Sequence, residues 1–89
     1  MALEVLYTPE FKRDYKKLPK NLRELLKRKG ELFVQRPFHP KLRTHKLTGK
    51  LRGRWAFSLD RRHRVIFRFL KKREVLFLRV GDHSIYRSK

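Results

Sequence analysis

Apolar side chains recur along this chain with two different periods, and the switch between them divides it. Leu3, Val5 and Tyr7 alternate with Glu4 and Leu6, the two-residue period of a short strand. Thr8-Pro9-Glu10 then has the chemistry of a helix start. A hydroxyl caps the first free amides, a proline suits the first helical position, and an acid sits in the first turn. Phe11, Tyr15 and Leu18 give that helix one apolar stripe, and Pro19 ends it. Asn21 is placed to cap a second helix in which Leu22, Leu25, Leu26 and Phe33 share a face. Gly30 weakens its last turn and Arg36-Pro37 closes it. Two amphipathic helices so closely joined predict an antiparallel hairpin.

Residues 37–53 keep no period; Pro37, Pro40, Gly49 and Gly53 punctuate a basic loop that contains His39 and His45. Beyond it the period is two. Trp55, Phe57 and Leu59 alternate with Ala56 and Ser58, and Asp60-Arg61-Arg62 makes a polar turn. His63 to Leu70 reads as a strand with Val65, Phe67 and Phe69 on one face and Arg64, Ile66 and Arg68 on the other. Lys71-Lys72-Arg73 turns the chain into a last strand, Val75 to Val80, apolar enough to be central or covered on both faces. Gly81 breaks it, and Asp82 to Tyr86 is expected to be a short tail. The order β-α-α-β-β-β predicts an α+β fold: a mainly antiparallel sheet with the helical hairpin packed on one face, in a single domain spanning residues 1–89.

Composition sharpens this picture. The 89 residues carry 26 Lys+Arg against 8 Asp+Glu, a net charge of +18, yet 39% are hydrophobic, too apolar for a disordered basic tail. Residues 32–59 hold seven Lys/Arg and no carboxylate, whereas residues 1–31 are mixed. A Lys/Glu-rich solubilising shell would not look like this, so a polyanion is the expected partner. There is no Cys, hence no disulfide framework or thiolate metal site. No apolar run approaches the roughly 18 residues of a membrane span, and Met1-Ala2-Leu3-Glu4 lacks the features of a signal peptide. A cytoplasmic protein with no membrane partner is expected.

The candidate chemistry lies in the basic loop and the last three strands. Arg64 and Arg68 share a strand face with Ile66, which predicts a face open to solvent or to phosphate, whose oxygens match the planar guanidinium fork. His83 and His45 are candidate proton donors or acceptors, because imidazole changes charge near neutral pH. His63 reads as a packed or turn histidine. The four histidines show no paired ligand spacing, so neither a metal site nor any other cofactor is expected. There is no phosphate-binding glycine loop and no serine-centred nucleophile motif. Tyr86, outside the strands, is the aromatic best placed to stack on a base.

The run from His45-Lys-Leu-Thr-Gly to Trp55, then Arg62-His-Arg-Val-Ile-Phe67, then Arg79-Val-Gly-Asp-His83-Ser-Ile-Tyr86 resembles the RelE/ParE toxin superfamily. It is most similar to the ribosome-dependent mRNA interferases of the RelE, YoeB and YafQ kind. The resemblance covers the whole chain. It implies a type II toxin that enters the ribosomal A site of the 30S subunit, against ribosomal RNA, and cuts mRNA there. It also implies a cognate antitoxin whose acidic or amphipathic C-terminal segment covers the basic groove. By the same resemblance Arg64 stabilises the reacting phosphate, His83 is the general acid, His45 is the general-base candidate and Tyr86 stacks on a base. The sequence by itself leaves the division of acid and base between the two histidines open. Where RelE-like members place lysines on the first meander strand, this chain has Ala56 and Ser58. The histidine near Ser58 and the aspartate near Arg62 of YafQ-like members are missing too, and Lys46, Lys50, Arg52 and Arg54 are the cations available to replace them, alongside Arg68. Two other readings share this fold or charge: a ParE-like DNA gyrase inhibitor without catalysis, and a plain RNA- or ribosome-binding domain. The joint presence of His83 and Arg64 favours the nuclease.

Overall fold

A computed structural model describes residues 2–87. The strands are β1 (Glu4–Tyr7), β2 (His45–Lys46), β3 (Trp55–Ser58), β4 (Arg64–Phe69) and β5 (Glu74–Gly81), and the helices are α1 (Pro9–Lys17) and α2 (Lys20–Gln35). They form one sheet in the order β1-β5-β4-β3-β2, with β1 parallel to β5 and the other pairs antiparallel. The α+β order expected from the sequence holds.

Thr8 caps α1 as its sequence implies. Its hydroxyl accepts from the Phe11 amide at 3.0 Å and donates to the Leu78 carbonyl at 2.9 Å, so the helix start is pinned to β5. Asn21 does not cap α2. Pro19, extended at φ −64° and ψ 161°, ends one helix and caps the next, and Asn21 lies inside the helix. Only Leu18 and Pro19 separate the helices, and the Arg23 guanidinium covers the freed Leu18 carbonyl at 2.7 Å.

Phe33 of α2, fully buried, is the centre of the core. It stacks on Phe57 at 4.6 Å and meets Phe67 and Phe77 edge-on at 4.8 and 5.7 Å. Phe11, Leu18, Leu22 and Leu26 complete the cover over Val65 and Val75. Trp55, Phe57, Val65 and Phe67 thus face the helices, as their alternation predicts.

Two expectations need correcting. Residues 37–53 are not a plain loop, because Pro40–Leu42 and Gly49–Leu51 form 3-10 turns and His45–Lys46 pairs with Ala56 and Trp55 as an edge strand. A two-residue strand is too short to show a period. Nor is the C-terminal segment a loose tail: His83–Arg87 is a 3-10 turn whose Ile85 is buried. A lone apolar residue among polar neighbours gave no periodic signal of that burial.

Candidate active site

The face of the sheet turned away from the helices collects the sequence-predicted residues. Cross-strand partners place their side chains on the same face, and so do residues two apart on one strand. His45, Ala56, Ile66 and Arg79 form one row across β2, β3, β4 and β5, and Ser58, Arg64 and Gly81 form the next. Two strand spacings put the His45 and Ile66 Cα atoms roughly 10 Å apart. Arg64 is one row further along β4 on the same face.

This face is not as open as its arginines suggest. Ile66 and Ala56 are buried, together with Ile85, outside the main core. The C-terminal turn folds over the sheet, and Leu51, Arg54, Ile66, Leu78, Arg79 and Ile85 line a small groove of about 130 Å³ there. A β-bulge opposite Ile66 and Phe67 leaves Leu78 without a partner, which brings both Leu78 and Arg79 to the groove. Ser58 is buried where a lysine would project in RelE-like members.

Arg64 opens β4 and is held by the turn before it. Its Nη1 donates to the carbonyl oxygens of Asp60 at 2.7 Å, His63 at 3.2 Å and Arg61 at 3.3 Å. Among the described residues its other donors have no protein partner. The turn is itself fastened by the Asp60 carboxylate, which accepts from the Arg62 and His63 amides at 2.9 and 2.8 Å and from His63 Nδ1 at 2.9 Å. Partial burial pushes the Asp60 carboxyl up, but the His63 ring and these amides outweigh it and hold it below the usual value. His63 is therefore a turn histidine, as its position suggested. Asp60 is the residue that sequence reasoning missed; its Asx-turn chemistry before two arginines was the available signal.

His45 is exposed on β2, and its Nδ1 lies 2.8 Å from the Arg43 carbonyl oxygen. A carbonyl only accepts, so Nδ1 is the donor in this bond, and Nε2 is the ring nitrogen left facing solvent. Arg43 takes a left-handed conformation, φ 51°, to aim that carbonyl. His83 begins the C-terminal turn, exposed, with its ring edge-on to Tyr86 at 5.4 Å. Burial pushes the Tyr86 phenol up, partly offset by the charge of the Arg64 cation. Asp82 beside them is held below the usual carboxylate value, first by the Ser84 amide and side chain, with His63 and His83 adding to it.

The loop cations divide. Arg54 lines the groove and Arg68 is exposed on the same face two residues beyond Ile66; Lys50 and Arg52 are exposed at the Gly49–Leu51 turn. Lys46 is not with them: on a two-residue strand it points opposite to His45, and its ammonium sits 5.6 Å over the Trp55 ring. Among the described residues no group of three His, Cys, Asp or Glu comes together as a metal ligand set.

The family model described as the bacterial toxin of type II toxin–antitoxin systems, YafQ, matches residues 3–87. The chain belongs to the YafQ toxin family. It is thereby a type II toxin of the RelE/ParE superfamily. Comparison with curated protein sequences finds no match. Among solved structures, YafQ from E. coli strain BL21(DE3) superposes with a TM-score of 0.80 at 19% identity, covering 97% of this chain and 99% of that one. The YoeB/ParE toxin from Agrobacterium tumefaciens gives 0.78 at 16% identity, covering 91% and 99%. The toxin of the E. coli DinJ-YafQ toxin–antitoxin complex gives 0.78 at 18%, covering 99% and 100%. At such identities these likenesses show a shared fold. Among the described residues no helix is long and apolar enough to cross a membrane.

Proposed function

We propose that this toxin is a ribosome-dependent endoribonuclease that cuts mRNA in the A site by metal-independent attack of the 2′-hydroxyl. The observation that carries the reading is Arg64, anchored by its own turn, on the sheet face that also carries His45 and over which the C-terminal turn bearing His83 and Tyr86 packs. In its neutral form His45, whose Nδ1–H is committed to the Arg43 carbonyl, takes the 2′-hydroxyl proton through Nε2. The 2′-oxygen then bonds to phosphorus while the bond from phosphorus to the 5′-oxygen breaks. Arg64's free donors stabilise the charge on the phosphorane oxygens. Protonated His83 gives its proton to the departing 5′-oxygen, leaving a 2′,3′-cyclic phosphate and a 5′-hydroxyl. Tyr86, kept as a neutral phenol, stacks on the adjoining base. Arg54 and Arg68 hold neighbouring phosphates from this face, and Lys50 and Arg52 do so from the loop. Such a substrate places the toxin in the cytoplasm.

Its proposed partner is a cognate antitoxin, as the DinJ-YafQ toxin–antitoxin complex supports by analogy, with an acidic or amphipathic C-terminal segment. A cleft of about 890 Å³ between α1, α2 and β1 supports this. Its floor is apolar, with Val5, Phe11, Leu26 and Val34, and Lys16 and Lys20 stand on its rim.

Primer extension on a defined mRNA in a purified translation system tests the enzymatic reading. Cuts inside the reading frame that need both toxin and ribosomes support it. An uncut message with ribosome binding retained moves the toxin to a plain ribosome-binding class, and an uncut message with normal translation moves it to the gyrase-inhibitor class.

A further inference from the structure

Leu6, Tyr7, Tyr15 and Phe38 are the exposed large hydrophobic side chains among the described residues, and Phe38, at 59%, is the most exposed. Tyr7 and Tyr15 line the helix cleft, and Leu6 lies beside Tyr7 on β1. Phe38 belongs to neither the cleft nor the Arg64 face. It stands at the end of the helix-facing side of the sheet, stacked on Phe69 at 6.0 Å and 27° and edge-on to Trp55 at 5.6 Å. Trp55 and Phe69 meet each other at 5.3 Å, so three rings make one platform with an uncovered face.

The backbone on both sides of Phe38 is fixed. The His39 amide donates to Arg36 O at 3.0 Å, the Thr44 hydroxyl donates to Pro37 O, and the Lys41 amide donates to His39 Nδ1 at 3.1 Å. The ring is therefore presented by an ordered loop. Arg36, Lys41 and Arg43 flank Phe38 along the chain and Lys46 lies 5.6 Å over the Trp55 ring; all four are exposed, none is in an ion pair among the described residues, and the stretch has no carboxylate.

We propose that Phe38, backed by Trp55 and Phe69, is a second RNA-binding site that stacks one unpaired base while the surrounding cations hold its flanking phosphates. A flat exposed ring in an acid-free cationic field matches the combination by which single-stranded nucleic acid is held. Its place on the sheet face opposite Arg64 gives it a different strand from the one being cut, an unpaired loop of structural RNA. The inference rests on RNA being the target, not on cleavage.

The test is fluorescence anisotropy of a short, unstructured 2′-O-methyl oligoribonucleotide, which cannot be cut, against wild type, Phe38→Leu and Phe38→Trp. Base stacking is worth about 1–3 kcal/mol, so Phe38→Leu should weaken binding by roughly 5- to 150-fold, whereas Phe38→Trp should retain it. The slope of affinity against salt should be unchanged in both, since no phosphate contact is removed. In the wild type, the only tryptophan, Trp55, should be quenched on binding, which needs no variant to fold. Phe38→Leu binding as wild type, with Trp55 emission unaltered, would make Phe38 a lid on the core and overturn the proposal. Loss of antitoxin affinity in Phe38→Leu with RNA affinity intact would overturn it in favour of a protein-docking role. Failure of the wild type to cut, with the Phe38→Leu loss of oligonucleotide binding still seen, counts against the cleavage reading alone.

Discussion

Arg64 Nη1 lies 2.7 Å from the carbonyl oxygen of Asp60, four residues earlier on the other side of the β3–β4 turn. The cation on the sheet face is thus oriented by the backbone of its own hairpin, and the Asp60 carboxylate fixes that backbone through His63. A guanidinium can bond the turn through one nitrogen and still offer a fork to phosphate; an ammonium cannot.

Arg64→Lys should therefore fold normally and lose about 10²- to 10³-fold in single-turnover cleavage rate, the cost of removing one aimed donor at a developing charge. Rate measurements on toxin-programmed ribosomes at saturating toxin check this. A tenfold loss or less would mean that the geometry of the fork is not used.

Asp60→Asn tests the turn itself. The native carboxyl lies below its usual value, so its stabilising contribution is complete above the ordinary carboxylate range. It is lost as pH falls through the folded value, below about pH 4. Thermal melts should show the wild type losing more stability than Asp60→Asn between neutral pH and pH 3. Equal losses would show that the turn is not held by that charge.

Asp14 spans two elements. It accepts from Arg79 Nε at 2.6 Å and Nη2 at 3.1 Å, and from the Val80 amide at 3.1 Å, supplying an acceptor to β5 after the short β1 has ended. Asp14→Ala should cost about 2 kcal/mol of stability, the value of charge-assisted bonds at a half-buried site. Urea unfolding measures it, and a cost under about 0.5 kcal/mol would place the pair among ordinary surface contacts.

Gly81 is where the C-terminal turn meets the sheet. A Cβ there would lie 2.9 Å from Cγ2 of the buried Ile85. Gly81→Ala should push the His83–Tyr86 segment off the sheet and reduce cleavage at least tenfold, while Phe33 and the helix-side core stay packed. The check is cleavage rate alongside near-ultraviolet circular dichroism; full activity would show that the segment tolerates displacement.

The helix cleft carries its own expectation. Reversing charge at its rim, Lys16→Glu with Lys20→Glu, should weaken antitoxin binding and flatten its salt dependence while leaving cleavage by free toxin unchanged. Isothermal titration in two salt concentrations decides it. Unchanged antitoxin affinity would place the partner elsewhere.

Much of the fold was legible because period and capping chemistry agreed. Thr8-Pro9 marked α1, and the alternation of Trp55 and Phe57 with Ala56 and Ser58 marked the core face. What escaped depends on contacts between residues distant in sequence. Leu51 and Ile85 come together over Ile66 only after β2 and the C-terminal turn have found the sheet. His45 and Arg64 were legible as residue types, yet the Arg43 carbonyl that sets the His45 tautomer follows from one left-handed residue. Lys46 was grouped with the loop cations, and its strand pairing turns it to the opposite face.

By the proposed mechanism, this toxin cuts RNA through the 2′-hydroxyl, using His45 and Arg64 of one sheet face and His83 of the C-terminal turn. A message carrying a single 2′-deoxy nucleotide at a mapped cut site tests it most directly. The account predicts that cutting stops at that position and continues at neighbouring sites, with a 2′,3′-cyclic phosphate at each remaining 3′ end. Undiminished cutting of the deoxy position would contradict it.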